Sequence, residues 1–108
     1  MARPHGLERL RQRLAQDGLL SARQLDGLKS GRRAKACGIV TGRQKPQTAK
    51  GTLFVTLEDE GGLVNVIVHA KLAERQRREL LGARLLGVLG VLQREGEVTH
   101  LIARRLVD

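Results

Sequence analysis

The stretch covering residues 38–65 constrains the fold more than any other part of the chain. Residues 52–58 alternate with a period of two. Leu53, Val55 and Leu57 face one way, and Phe54 and Thr56 face the other. That is the pattern of a strand with one side on a core. Asp59-Glu60-Gly61-Gly62 follows. It is turn chemistry, because glycine accepts positive φ and an Asp side chain bonds backbone two residues on. Residues 63–69 are nearly all apolar and read as a second strand of the pair. Upstream, residues 34–43 read as a strand with interior glycines at Gly38 and Gly42. Glycine inside a strand marks a bulge, a bend or close backbone approach. A polar loop over residues 42–51 joins the two.

The remaining elements follow from their own periods. Residues 71–81 predict one helix. Leu72, Ala73 and Leu80 lie on its inner side, and Glu74–Arg78 and Arg75–Glu79 form i,i+4 pairs on its wet side. Residues 83–92 predict a fourth strand, residues 93–97 a turn, and residues 98–107 a fifth strand. Before the first strand, Leu7, Leu10 and Leu14 recur at helical spacing until Gly18. Ser21-Ala22-Arg23-Gln24 is a capping-box pattern that opens a second short helix carrying Leu25 and Leu28. Neither helix is long enough to hold alone in water, so both must dock on something. Five strands with a helix between the third and fourth is the plan of the OB-fold. The expected fold is therefore mainly β, a five-stranded OB-fold barrel with a helix between strands 3 and 4, preceded by a short helical N-terminal segment. The expected division is a helical prefix and basic hinge over residues 1–33 and the barrel over residues 34–108.

Charge narrows the partner. The chain has 108 residues and a formal net charge of +9. Residues 1–50 hold 12 Lys/Arg against 3 Asp/Glu, while residues 51–108 hold 8 of each. The whole excess sits in the first half, which suggests a face that meets a polyanion. A membrane surface fits less well, because the cations are not paired with exposed Trp or Phe. No apolar run approaches the ~20 residues of a membrane span, and the first residues lack the apolar core of a signal peptide. The single cysteine, Cys37, cannot form an internal disulfide. A reducing, cytoplasmic setting is the expectation.

OB-folds bind oligonucleotides or oligosaccharides on the strand 2–3 face and through the loops between strands 1–2 and 4–5. On this chain the first loop supplies Arg43, Lys45 and Lys50, the second supplies Arg94, and the face supplies Phe54, Thr56 and Asn65. Lys and Arg suit phosphates. A ring suits stacking on a base, and a side-chain amide suits reading a base edge. The plainer readings are a solvated loop for the cations, a core position for Phe54, and a backbone partner for Asn65. Catalytic chemistry is not visible. His5, His69 and His100 are scattered, Glu58, Asp59 and Glu60 sit in a turn rather than a metal site, and no phosphate-cradling loop or dinucleotide fingerprint is present. No cofactor and no metal are expected.

The spacing Phe54-x-x-Leu57-x-Asp59-x-x-Gly62-x-x-Asn65 resembles OB-folds of class II aminoacyl-tRNA synthetases and of bacterial replicative polymerases. The longer run Gly38-Ile-Val40-Thr-Gly-Arg43-Gln44-Lys45-Pro46-x-Thr48-Ala49-Lys50-Gly51 is similar to one branch of these. So are Val64-Asn65-Val66-Ile67-Val68 and Leu81-Gly82-Ala83-Arg84-Leu85-Leu86. That branch is the C-terminal part of error-prone DNA polymerase, a damage-associated relative of the DNA polymerase III alpha subunit. The resemblance covers residues 18–107. It implies a single-stranded DNA (template) binding module used in DNA replication, DNA damage and DNA repair, with the catalytic carboxylates elsewhere in the family. This chain alone is then no enzyme, and its partners are single-stranded DNA and the remainder of a polymerase chain or a translesion protein. An RNA- or tRNA-binding module and a protein-interaction module are the alternatives. The family usually carries Trp where His69 stands and Phe where Ala73 and Gln76 stand.

Overall fold

The first strand is long enough to serve two neighbours, and this sets the whole topology. In the computed structural model, which describes residues 24, 25, 27–47 and 50–108, β1 runs from Arg33–Gln44. Its first half pairs antiparallel with β4 (Leu85–Glu95), from Arg33 opposite Val91 to Ile39 opposite Leu85. Its second half pairs antiparallel with β2 (Leu53–Asp59), from Ile39 opposite Glu58 to Gln44 opposite Phe54. Ile39 pairs with both neighbours, and the strand enters this exchange at Gly38. A Cβ there would lie 2.6 Å from the carbonyl oxygen of Glu58, so only glycine lets the two backbones approach this closely. A register shift between Val40 and Gly42 bends the strand further.

β2 pairs with β3 (Gly62–Val68), and the Asp59 carboxylate caps the turn between them. Its Oδ1 accepts the amides of Gly61 at 2.7 Å and Gly62 at 3.1 Å. β3 then pairs with β5 (Val98–Val107) in parallel, over only Asn65–His100, Val66–Leu101 and Ile67–Ile102. β5 returns antiparallel to β4. The order β1-β2-β3-β5-β4 closes on itself. The OB-fold barrel with its helical insertion between strands 3 and 4 is present.

The interior is aliphatic. Val55, Leu57, Val66, Val68, Leu80, Leu86, Val88, Leu92 and Leu101 are fully buried, and no polar side chain is buried among the described residues. Leu25 joins this core, and Leu28 packs against it. This end of the prefix therefore docks on the barrel through its two leucines. The expected helix over Leu7, Leu10 and Leu14 lies outside the described residues, as does Ser21 of the capping box. Cys37 is buried, but on the outer side of β1 against Leu85, Leu89 and Val107.

The single helix expected over residues 71–81 is instead two short ones, α1 (Ala70–Arg75) and α2 (Arg77–Gly82). The break is Gln76, whose backbone leaves helical geometry at φ −113° and ψ 40°. Its cause is tertiary. Among the described residues no strand covers the β3 side of β5 beyond Ile102, and the Gln76 side chain takes that place. Its Oε1 accepts the Leu106 amide at 2.7 Å, and its Nε2 donates to the Leu106 carbonyl at 2.9 Å. One amide side chain thus acts as a short piece of sheet. The same Nε2 reaches Glu79 Oε2 at 3.0 Å, so Glu79 faces the break rather than forming the expected wet-side pair with Arg75.

Candidate nucleic-acid interface

The pleat decides which side chains reach the outer surface. Val55 and Leu57 point into the barrel, which forces Phe54 and Thr56 outward. Val64, Val66 and Val68 point inward, which forces Leu63, Asn65 and Ile67 outward. Register then sets neighbours. Thr56 lies opposite Asn65, and Phe54 lies opposite Ile67. On β1, Gly42 faces Thr56 and Gln44 faces Phe54. On β5, His100 continues beyond Asn65. The structure therefore gathers Phe54, Thr56 and Asn65 into one patch. Phe54 is half-buried on this outer face and is absent from the interior, while Asn65 is exposed. Ile67 and His100 belong to the same patch. The sequence signal for Ile67 was its parity with Asn65, and for His100 its parity with Val98 and Ile102 on the last strand.

The basic loop lies at the pole of the barrel that the helices cap. It is shorter than expected, because β1 extends to Gln44 and β2 begins at Leu53. Lys45 and Lys50 are exposed. Lys50 sits at φ 50° and Gly51 at φ 90°, a left-handed pair that turns the chain into β2. Lys45 edges a cleft of about 490 Å³ with Gly51, Leu53, Ala73, Arg77 and Leu81. Arg77 enters this cleft because the helix breaks just before it, a placement that periodicity alone could not give.

Arg43 is placed differently from the two lysines. Its Nε donates to the Leu80 carbonyl at 2.8 Å, and its Nη2 donates to the Ala83 carbonyl at 2.6 Å. A cation on the last carbonyls of a helix is well placed electrostatically. Arg43 therefore ties β1 to the end of α2 and keeps its charge beside the loop.

Arg94 is on strand, not in a loop. β4 continues to Glu95, and the connection to β5 is only Gly96 and Glu97. Arg94 lies opposite Thr99 at the pole away from the helices, with its Nε 3.4 Å from Thr99 Oγ1. Its backbone amide donates to Ser30 Oγ at 3.1 Å. The cations thus bracket the strand face from opposite poles rather than forming one cluster. A second cleft, of about 290 Å³, lies near Arg94 and is lined by Leu63, Asn65, Val98 and Thr99.

No family model matches the chain. Curated proteins do. An error-prone DNA polymerase of Azoarcus sp. (strain BH72) is 62% identical over 104 residues, covering 96% of this chain and 10% of the relative. Another, from Dechloromonas aromatica, is 57% identical over 106 residues, covering 98% and 10%. The chain corresponds to one domain of the error-prone DNA polymerases. It spans about a tenth of the length of the curated relatives it matches. Solved structures agree on the architecture of this barrel. Asparaginyl-tRNA synthetase from Pyrococcus horikoshii, complexed with asparaginyl-adenylate, superposes with a TM-score of 0.69 at 13% identity, covering 84% of this chain and 22% of that one. The hypothetical protein ygiW from E. coli gives 0.62 at 10% identity, covering 83% and 88%. Identities this low carry the fold alone.

Proposed function

We propose that this barrel binds single-stranded nucleic acid, specifically the DNA template of an error-prone, damage-tolerant polymerase. The carrying observation is the outward patch of Phe54, Thr56, Asn65 and Ile67 lying beside the exposed Lys45 and Lys50. In this reading Phe54 offers a ring on which a base can stack, and Asn65 and Thr56 offer hydrogen bonds to base or sugar. Lys45 and Lys50 hold phosphates, Arg43 adds charge while fixing the loop's root, and Arg94 meets the strand at the far pole. The chain binds and positions. The chemistry belongs to other parts of a longer polymerase, so a polymerase assay on the 108 residues alone is expected to be blank.

The test is fluorescence anisotropy of a labelled single strand across a salt series, with duplex DNA and an RNA stem-loop in parallel. Single-strand DNA is expected to bind best, with log K falling by about 0.7 per phosphate neutralised for each decade of salt. Lys45→Gln with Lys50→Gln should flatten that slope by about 1.4, the share of two phosphates. Arg43 is left intact, because its loss would also free the end of α2. Equal, weak binding to all three ligands would overturn the reading, and preference for the stem-loop would replace it with an RNA-binding one. A protein-docking reading has its own observation. Leu63 and Val98 are 59% and 48% exposed and line one cleft, as suits an apolar contact with another part of a longer chain.

A further inference from the structure

The excess charge of the first half of the sequence does not stay on one side of the barrel. Arg33 and Lys35 project from the outer side of β1, where β1 pairs with β4, far from the basic loop. There they line a groove of about 570 Å³ with Leu89, Gly90, Val91 and Arg104. Arg104 comes from the half of the chain whose charges balance, and a defect in the sheet puts it there. Ala103 and Leu106 both point into the core, so strict alternation would send one of the two residues between them inward. Both Arg104 and Arg105 are exposed instead. The register of β4 against β5 shifts between Leu89 and Gly90, which pair with Arg105 and Ala103. Such a bulge re-aims side chains. Gly90 permits it, because a Cβ there would collide with the Ile102 carbonyl.

The groove is connected to the proposed binding face. Following register around the outer surface, Phe54 lies beside Ile67, Ile67 beside Ile102, Ile102 beside Val91, and Val91 beside Arg33. The four apolar members are all half-buried. They form a track of four inter-strand steps, about 19 Å at ~4.8 Å per step. It leads from the ring to the cations. Among the described residues no ion pair engages Arg33, Arg104 or Arg105. The carboxylate that lines the adjoining recess, Glu79, shares it with Arg75, Arg104 and Arg105 and bonds to Gln76.

We propose that the β1–β4–β5 groove is a second phosphate-binding surface, holding the sugar–phosphate backbone of a single strand that has crossed the track from Phe54. Guanidinium groups fit phosphate oxygens with paired donors, and the floor of Leu89 and Val91 suits the less polar sugar edge. The proposal rests on the nucleic-acid reading above, but its residues are separate from those of the loop, so the two can fail independently.

The experiment compares two strands, near the ends of the ~4–16-nucleotide range of single OB-fold sites. The groove variant is Arg33→Gln/Arg104→Gln and the loop variant is Lys45→Gln/Lys50→Gln, both in the 108-residue chain, with circular dichroism to verify folding. The groove variant is expected to bind a strand of about 16 nucleotides roughly tenfold more weakly, with its salt slope flattened by about 0.7 for each phosphate left without its cation. It should bind a strand of about 5 nucleotides as the parent does, whereas the loop variant should lose affinity for both. Methyl NMR of the parent gives a readout that needs no variant. The Leu89 and Val91 signals should shift with the long strand and not with the short one. Parent-like affinity and slope of the groove variant for the long strand would overturn the proposal, and would leave the groove to an acidic protein segment. Loss in the groove variant with none in the loop variant would uphold the groove and overturn the loop-side reading. Failure of the parent to bind either strand would overturn both.

Discussion

At the scale of single residues, the polar side chains that matter most to the barrel hold backbone groups rather than each other. Gln76 replaces a missing strand at Leu106, and Arg43 closes the end of α2. Removing one partner of such a bond leaves a part-buried donor or acceptor without water, at a cost of about 1–3 kcal/mol. Gln76→Leu keeps a side chain of similar size but strands both the Leu106 amide and its carbonyl. It should therefore lower the unfolding free energy by about 1–3 kcal/mol, read as a reduced urea midpoint at unchanged slope. A loss below about 0.5 kcal/mol would mean that Leu106 finds other partners. Nothing in the sequence announces this role. Gln76 stands among Glu and Arg residues that suit a wet helix face, and its partner is 30 residues away. Phe54, Thr56 and Asn65 were legible for the opposite reason. Alternation holds where no bulge intervenes, so buried Val55 and Leu57, and buried Val64 and Val66, fix the direction of the residues beside them.

At the scale of elements, the strands were readable and the helix was not. The strands announce themselves by alternation or by apolar runs, and the fifth ends where its apolar pattern ends, at Val107. The helical segment has a good local pattern throughout, and the open edge of β5 overrides it. Glycines mark the sharper constraint. Gly38 sits where β1 leaves β4 for β2, with three Glu58 backbone atoms crowding any added Cβ. Backbone cannot rotate away as a side chain can, so Gly38→Ala must push β1 and β2 apart. The expected cost is about 1–3 kcal/mol, that of overpacking. Gly82 is the control, because nothing lies within 4 Å of a Cβ there and it is the last residue of α2. Gly82→Ala should be neutral or stabilising by up to about 1 kcal/mol. Urea unfolding of both variants checks the contrast. Equal effects would show that the close approach at Gly38 is not what limits the barrel.

At the scale of the whole molecule, order along the chain and order in space part company. A division of charge by halves suggested one basic face, yet β1 carries its cations to two sides, and Arg104 joins the second side from the balanced half. The same mixing applies to the prefix. Leu25 lies before the first strand, but it is 3% exposed and belongs to the cluster that holds Val64, Leu92 and Leu101. The backbone after it is fastened too, since the Gly31 amide donates to the Leu92 carbonyl at 2.7 Å and the Leu92 amide to the Arg32 carbonyl at 2.8 Å. Leu25 closes the pole of the barrel opposite the helices, between Leu63 and Val98 on the rim. If it merely leaned on a finished domain, shortening it would cost only a few tenths of a kcal/mol. If it completes the core, Leu25→Ala opens a cavity in a small barrel, at a cost of about 2–5 kcal/mol. Domains of this size have only about 5–15 kcal/mol in total. The second outcome is expected, as a drop in urea midpoint accompanied by faster amide exchange at Val64, Leu92 and Leu101. Exchange that quickens at those three positions without a change in β1 and β2 would restrict Leu25 to a local lid. Acceleration across all five strands would show that one residue ahead of the barrel is part of the cooperative unit that presents both charged faces.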